Sequence, residues 1–258
     1  MGGTFHPLGV DDVDGFLQAR NFTKNGSRTP NLWVVHDEEY PERPDAAWDV
    51  ARYFAGANAP QSSAHVCVDD RNAIGCVDWR DIAWHSGHGA TNDRSIGIEH
   101  SGYASQSREE WLDEYGMKML DRSARLFAEV AYGIFGIPPV KLSSEQVAAG
   151  EAGICGHVDV TLGYNIYGGH TDPGEQFPWD VYISMCRKHI TGSSEDDEVK
   201  PYILIDPRDT KAWLCSGNTK YHLASMAELD IHKFFGAPVV NPAPAAWVDS
   251  LCTIKDAQ

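Results

Sequence analysis

The chain has 258 residues and carries 37 acidic against 21 basic residues, which gives a formal net charge of −16. This charge argues against binding nucleic acid or anionic lipid through a basic surface. Hydrophobic residues make up 42 % of the sequence, enough for a folded core. No apolar run approaches the ~18 residues of a membrane-spanning helix, so we expect no membrane partner. The first residues also lack the basic and apolar regions of a secretion signal, and we expect none.

Short β-branched runs alternate with amphipathic segments along residues 1–190. Strands are predicted at 31–36, 64–69, 73–77 and 95–100. Helices are predicted at 45–57, at 109–135 and from Trp179 to Ile190. Ser107 and Glu110 have the spacing of a capping box before the longest of these helices. The alternation predicts an α/β fold in which helices cover a central sheet.

Residues 191–200 separate this region from the end of the chain. The stretch 191–198 holds four acidic residues and no basic one, which is typical of a linker. A solvated loop inside a single domain is the alternative. We therefore expect a first domain over 1–190, an acidic linker over 191–200 and a small module over 201–258.

The last segment has the pattern of a small α+β module. Strands are predicted at 202–206, 211–215 and 219–223, and a helix from Ser225 to Phe235. Three aromatic residues could stack on a sugar or pack in the core of the module: Tyr202, Trp213 and Tyr221. We favour the core. Binding to the cell wall is a possible role that the sequence of the module does not itself indicate.

The six cysteines show no metal-binding or redox spacing. None of them forms a C-x-x-C pair, and none combines with histidine in the pattern of a structural zinc module. Because we expect no secretion signal, we predict reduced thiols, most of them small buried side chains.

Several histidines and one acid are candidate ligands of a catalytic zinc ion. His36 ends a predicted strand, His85 lies in the run AWHSG, His157 follows Gly156 in a predicted loop, and His170 lies two residues before Asp172, which precedes a Pro-Gly turn. Histidine and carboxylate are the ligands expected of zinc in a chain without paired thiols. Surface or hydrogen-bonded core histidines are the alternative for each position.

Glu99 ends the apolar run at 95–100, where an acid is unexpected unless it faces a site. Apolar walls would raise the pKa of its carboxyl group, which suits a general base or acid. A strand-end carboxylate facing water is the alternative.

Four motifs follow one another in the order found in a known family: VVH at 34–36, AWHSG through NDRSIGIE at 83–99, GH at 156–157, and HTDPG through FPW at 170–179. With them the chain resembles the zinc-dependent N-acetylmuramoyl-L-alanine amidases of the type-2 amidase and peptidoglycan-recognition group, which includes phage endolysins. The resemblance covers residues 31–180. It implies a central mixed β-sheet flanked by helices, with the C-terminal α+β module as an appendage.

The resemblance implies a ligand set and a proton carrier. His36, His157 and Asp172 match the residues that bind one Zn²⁺ per chain. Glu99 matches the acid that handles the proton of the attacking water. The expected reaction is hydrolysis of the amide bond between N-acetylmuramic acid and L-alanine in peptidoglycan.

Two further histidines match positions near the reacting bond. His170 stands where the family usually carries a lysine that stabilises the oxyanion, so the role is implied for a weaker and more pH-dependent donor. His85, in the AWHSG motif, matches a histidine beside the groove, and we expect it to contact substrate rather than metal.

The implied biological role is that of a phage lysin, which is bacteriolytic because it degrades the cell wall. We expect a monomer that stays in the host cytoplasm until lysis and then acts on the wall. One alternative is a cytoplasmic amidase that recycles soluble muropeptides, and another is a non-catalytic recognition module. Non-catalytic members typically lack the third metal ligand, whereas Asp172 is present here. A zinc peptidase is a further alternative, but the sequence contains no H-E-x-x-H motif.

Overall fold

A computed structural model describes residues 13–166 and 168–191, and the backbone of four strands within 202–240. The chain divides into two compact units, Met1–Gly192 and Ser193–Gln258. Within the described residues, no helix is both long and apolar enough to cross a bilayer.

Eight strands are described in the first unit, and six of them form one sheet. They are β1 (Gly15–Phe16), β2 (Phe22–Thr23), β3 (Leu32–Asp37), β4 (Val66–Val68), β5 (Ala73–Gly75), β6 (Ile82–Ala83), β7 (Ser95–His100) and β8 (Gly153–Gly156). The helices are α1 (Ala46–Ala55), α2 (Gly89–Arg94), α3 (Arg108–Trp111), α4 (Glu114–Leu126), a π-helical segment (Phe127–Tyr132), α5 (Ser144–Ala148), α6 (His157–Gly163) and α7 (Trp179–Thr191).

The six-stranded sheet is mixed, with the order β1-β5-β4-β7-β3-β8. Only β4 and β5 pair in antiparallel fashion; the other neighbours in this sheet are parallel. Strands β4 and β7 lie at its centre, and β3 lies next to β7. This sheet and its flanking helices confirm the predicted α/β fold.

Alternate residues of β3 and β7 face two differently built layers. Trp33 and Val35 of β3, with Ile96 and Ile98 of β7, join one large apolar cluster that includes α4, the π-helical segment and α7. On the opposite face the apolar residues form two smaller clusters. One lies under α1 and the other under α5 and α6.

The predicted helix over 109–135 is wrong as a single element. Helix α3 begins at the predicted capping box, in which Ser107 Oγ accepts from Glu110 N and the Glu110 carboxylate accepts from Ser107 N. The chain leaves the helix at Leu112, and α4 begins after Asp113, whose carboxylate accepts a hydrogen bond from Gly116 N at 2.8 Å. Asp113 is thus an N-cap rather than an interior residue, because its side chain competes with the helical backbone for this amide.

The strands of the second unit form a four-stranded sheet in the order β11-β10-β9-β12. They are β9 (Tyr202–Ile205), β10 (Ala212–Ser216), β11 (Thr219–Leu223) and β12 (Val239–Val240). The first three coincide with predicted strands to within one residue. The predicted helix from Ser225 to Phe235, residues 192–200 of the predicted linker and the contacts of the three aromatic side chains lie outside the described residues. Thr191, the first residue of that linker, is the last residue of α7.

The four cysteines that the structure describes are Cys67, Cys76, Cys155 and Cys186, and all are buried free thiols. The expectation of small buried side chains is confirmed for these four. Cys215 and Cys252 lie outside the described side chains.

Candidate functional site

Three of the predicted site residues meet because their strands are parallel neighbours. His36 of β3 pairs in register with Glu99 of β7, and Val35 pairs with Gly156 of β8. His157 follows Gly156 as the first residue of α6. Carboxyl ends of adjacent parallel strands lie at one edge of a sheet, which is where ligand sites form in open α/β folds.

His157 lies on a helix rather than in the loop predicted for it. Helix α6 begins directly after β8, and the carboxylate of Asp159 accepts a hydrogen bond from Gly156 N at 2.8 Å. Lys141 Nζ lies 2.7 Å from the same carboxylate oxygen. An acid in the first helical turn is a helix-start signal, and its presence three residues after Gly156 explains why the helix begins here.

Asp172 lies in the turn predicted from its Pro-Gly sequence. Gly174 N donates to Thr171 O at 3.0 Å, and Val158 N of α6 donates to Asp172 O at 3.0 Å. Gly174 has a φ of 91°, and a Cβ there would collide with the backbone of Ala104. The turn therefore requires glycine at position 174. The hydrogen bond from Val158 N holds Asp172 at the beginning of α6.

The structure brings His36, His157 and Asp172 together. His36 Nδ1 lies 2.9 Å from Asp172 Oδ2, and His157 Nδ1 lies 3.1 Å from Asp172 Oδ1. One ligand atom from each residue lies within 4.8 Å of the others, and all three residues are buried. The candidate ligands thus converge on one point at the sheet edge.

The protonation states of this group suit a cation. Burial by itself would raise the pKa of Asp172, but the contacts of its carboxylate with His157 and His36 outweigh burial and hold the pKa below its usual value. Burial lowers the pKa of His36 to about 4, against the opposing effect of Asp172. Asp172 is therefore ionised and His36 neutral near pH 7.

The donor set of the three residues fits zinc. Catalytic zinc sites use about three protein ligands, with imidazole nitrogens and carboxylate oxygens common among them, and keep one position open. Two imidazole nitrogens and one carboxylate converge here, and His36 also has the outer hydrogen bond that is typical of a ligating histidine. In the part of the chain that the structure describes, this is the one such group of histidine, cysteine and acidic residues.

Glu99 faces the site rather than bulk water. It lines the same cleft as the three candidate ligands. Burial raises the pKa of Glu99 well above its usual value, and the carboxylates of Asp172 and Glu38 add to the shift. A carboxyl group with a raised pKa at this place is suited to accept and return a proton.

His170 lies at the mouth of the site with its side chain 65 % exposed. Its ring stacks on that of His157, with the ring centroids 4.2 Å apart. Its Nδ1 lies 3.6 Å from Asp172 Oδ1, too far for a hydrogen bond. Burial and the neighbouring His157 lower the pKa of His170.

His85 also lines the cleft, but the protein occupies both of its ring nitrogens. Nδ1 lies 2.9 Å from His36 Nε2, and Nε2 lies 2.9 Å from Ser95 Oγ. The ring is buried. A contact between His85 and substrate would therefore use the edge or face of the ring.

The cleft over this edge has a volume of about 740 Å³. Its walls contain all six predicted site residues: His36, His85, Glu99, His157, His170 and Asp172. The volume is in the range of small-molecule and cofactor sites.

The sequence model of the family described as N-acetylmuramoyl-L-alanine amidase matches residues 26–175, more than half of the chain. The chain belongs to this family. It is thus a peptidoglycan amidase, and the matched range contains every residue of the candidate site. No curated protein is significantly similar to this amidase in sequence.

Several solved structures are similar to the amidase. The Staphylococcus aureus hydrolase AmiA, solved with its ligand, has 17 % identity and a TM-score of 0.52; the match covers 70 % of this chain and 84 % of that one. A selenomethionine derivative of AmpD matches with 18 % identity and a TM-score of 0.49, over 71 % and 99 % of the two chains. A mutant endolysin from Bacillus subtilis matches with 18 % identity and a TM-score of 0.46, over 67 % and 99 %.

Two acids of the amidase cleft were missed by sequence reasoning. Asp37 and Glu38 follow His36 directly and line the cleft. Burial raises the pKa of Asp37 to about 7 and that of Glu38 well above its usual value. Their place next to a strand-end histidine, in the run VVHDE, is the signal that could have identified them.

Proposed function

We propose that the chain is a zinc-dependent amidase that hydrolyses the bond between the lactyl group of N-acetylmuramic acid and L-alanine. The observation that carries the proposal is the convergence of His36, His157 and Asp172 beside Glu99 at one sheet edge. His36, His157 and Asp172 would hold the ion. Zinc at this place would polarise the scissile carbonyl and lower the pKa of a water molecule to about 7.

Glu99 is the proposed proton carrier. Its raised pKa makes the ionised carboxylate a stronger base than an exposed glutamate, so it accepts a proton from the attacking water. The same carboxyl group then returns the proton to the nitrogen of L-alanine. Once protonated, this nitrogen, which is otherwise a poor leaving group, departs as a neutral amine when the bond between it and the carbonyl carbon breaks.

His170 and His85 are proposed to act on the substrate from the cleft walls. His170 is exposed at the mouth, stacked on His157, where a protonated ring can donate a hydrogen bond to the oxygen of the scissile carbonyl. His85 offers the substrate its ring surface, since both of its nitrogens are already bonded.

The biological role that we propose is that of a phage lysin that degrades the bacterial cell wall. The compact unit Ser193–Gln258, which lies beyond the family match, supports this, because an added module commonly directs such an enzyme to its polymer. We retain the proposed division into a catalytic domain over 1–190, a linker over 191–200 and a module over 201–258.

Product analysis tests the reaction. Mass spectrometry of digested cell wall is expected to show free muramic acid groups and intact stem peptides. A cut within the peptide would overturn the proposed bond, and the absence of any product would indicate a binding module. Faster turnover of soluble muropeptides than of intact wall would contradict the lysin role and favour a recycling amidase.

Metal analysis of the same preparations tests the zinc site. We expect one zinc per chain in the wild type and near-complete loss of zinc and of wall clearing in His157→Ala and Asp172→Ala. A variant of either residue that keeps both zinc and activity would contradict the proposed ligand set.

A further inference from the structure

A line of buried hydrogen bonds runs from the candidate ligand His36 to the last turn of α2. His36 Nε2 lies 2.9 Å from His85 Nδ1, and His85 Nε2 lies 2.9 Å from Ser95 Oγ. Ser95 Oγ in turn lies 2.6 Å from the carbonyl oxygen of Thr91. All four residues are buried, so water does not compete for these bonds.

The carbonyl oxygen of Thr91, at the end of this line of hydrogen bonds, determines which group donates and which accepts in each of them. A carbonyl oxygen can only accept, so the short contact with Thr91 takes the single hydroxyl proton of Ser95. Ser95 Oγ must then accept, and His85 Nε2 must carry the proton that it donates. A proton on Nε2 is the tautomer of His85 that the surrounding groups dictate.

The tautomer of His85 determines which ring nitrogen of His36 carries a proton and which one is left for the site. The buried ring of His85 bonds through its two nitrogens to His36 and Ser95 and to no carboxylate that would favour a second proton, so it holds one proton. Its Nδ1 is therefore an acceptor, and His36 Nε2 must be the donor. Because His36 carries a proton on Nε2, its Nδ1, which faces the carboxylate of Asp172, is the nitrogen available to a cation.

From this order of donors we infer that Ser95 and His85 are positioning residues, which hold the proton of His36 on Nε2 so that Nδ1 is free to bind the metal. The inference rests on the proposed function, since it concerns the same zinc site. Neither residue needs to contact the ion. Outer partners of this kind fix the tautomer and orientation of ligating histidines.

The packing around His85 also supports a fixed ring. A Cβ on Gly97 would lie 2.5 Å from His85 Cγ, so the ring rests directly on the backbone of β7. Asn92 Oδ1 accepts from His85 N at 3.2 Å and from Ser86 N at 2.9 Å. The motifs AWHSG and NDRSIGIE are therefore two halves of one structure, in which the second motif supports the histidine of the first.

Proton location in histidine rings is measured directly by nitrogen-15 NMR. We expect His85 to carry its proton on Nε2 in the full-length wild-type chain, both without metal and with zinc. Ser95→Ala removes the acceptor for this proton, so the preference for Nε2 should weaken. Ser123→Ala is a matched control, because it removes a buried hydroxyl bonded to His100 on the opposite face of the sheet.

Zinc affinity, measured by competition with a chelator, provides the second readout. We expect His85→Leu to weaken zinc binding about 10- to 100-fold and Ser95→Ala about 10-fold. His85→Asn, close to leucine in size but able to accept from His36, should stay within about 3-fold of the wild type. Ser123→Ala should also stay within about 3-fold.

Three results would overturn the inference alone, given a wild-type chain that binds zinc. They are a wild-type His85 with its proton on Nδ1, a Ser95→Ala variant with unchanged zinc affinity, and equal losses in His85→Asn and His85→Leu. A wild-type chain that binds no zinc would instead overturn the proposed function together with this inference.

Discussion

The same strands form both faces of the central sheet, but one face packs in the apolar core and the other lines the cleft. On one face, Ile96 and Ile98 of β7 are fully buried in a large, continuous apolar cluster. On the other, the alternate residues Ser95, Gly97 and Glu99 lie between two smaller clusters. Glu99 lines the cleft of the candidate site.

The difference shows how one strand can serve stability and catalysis together. Successive side chains of a strand point to opposite faces, so a run such as SIGIE presents isoleucines to the core and polar or small residues to the site. Burying each isoleucine contributes about 1.5–3 kcal/mol, whereas burying Glu99 is unfavourable, as its raised pKa shows. The free energy gained by burying the isoleucines on one face offsets the free-energy cost of burying Glu99 on the other.

The largest expected effect comes from Glu99→Gln, on the face of the sheet that holds the candidate site. Turnover should fall about 10²- to 10⁴-fold, because the amide cannot carry the proton. Zinc content should stay at the wild-type level, and the free energy of unfolding at pH 7 should not fall, since a neutral side chain replaces a disfavoured charge. Kinetics, metal analysis and urea unfolding on one preparation test this; normal turnover would show that the assigned base is wrong.

The neighbouring substitution Ile98→Ala should lower the stability of the protein and leave its turnover nearly unchanged. Removing this buried side chain is expected to lower the free energy of unfolding by about 2–5 kcal/mol, while turnover well below the melting temperature stays close to the wild-type value. Ile98→Val is the milder control, with an expected loss of about 0.5–1.5 kcal/mol. A large loss of turnover in the folded Ile98→Ala protein would mean that the two faces are not separable.

Gly97→Ala should lower both the stability of the protein and its affinity for zinc. The added methyl group meets the ring of His85, so we expect a loss of about 1–3 kcal/mol in unfolding free energy from overpacking. Displacement of the ring should also weaken zinc binding. Chelator competition and urea unfolding separate the two effects, and a variant with wild-type zinc affinity would argue against a rigidly held His85.

The smallest expected effect concerns the pH profile of His170. Burial and His157 lower the pKa of His170 below its usual value, so the protonated, donating form is lost as pH rises through this lowered pKa. Wild-type activity should therefore decline towards high pH, while His170→Lys, which stays charged to about pH 10, should decline less, by several-fold at pH 8. Identical profiles of kcat/KM would show that His170 is not the donor.

Local signals in the sequence were sufficient for much of the fold. The capping box at Ser107 and Glu110, the β-branched run at 95–100 and the turn at Asp172 are where they were predicted. Each depends on interactions within a few residues. The prediction failed where two local signals compete, as at Asp113, whose side chain caps a new helix within an otherwise helical pattern.

The order of motifs along the chain was enough to identify the family and to name the candidate ligands, because residue types and spacings carry that information. The distances between those residues depend on strand order, which places β7 and β8 on either side of β3 although they are far apart in sequence. The hydrogen bonds from Ser95 through His85 to His36 likewise join separate segments. Such contacts have no local signal, because they exist only once the sheet has formed and its helices have packed.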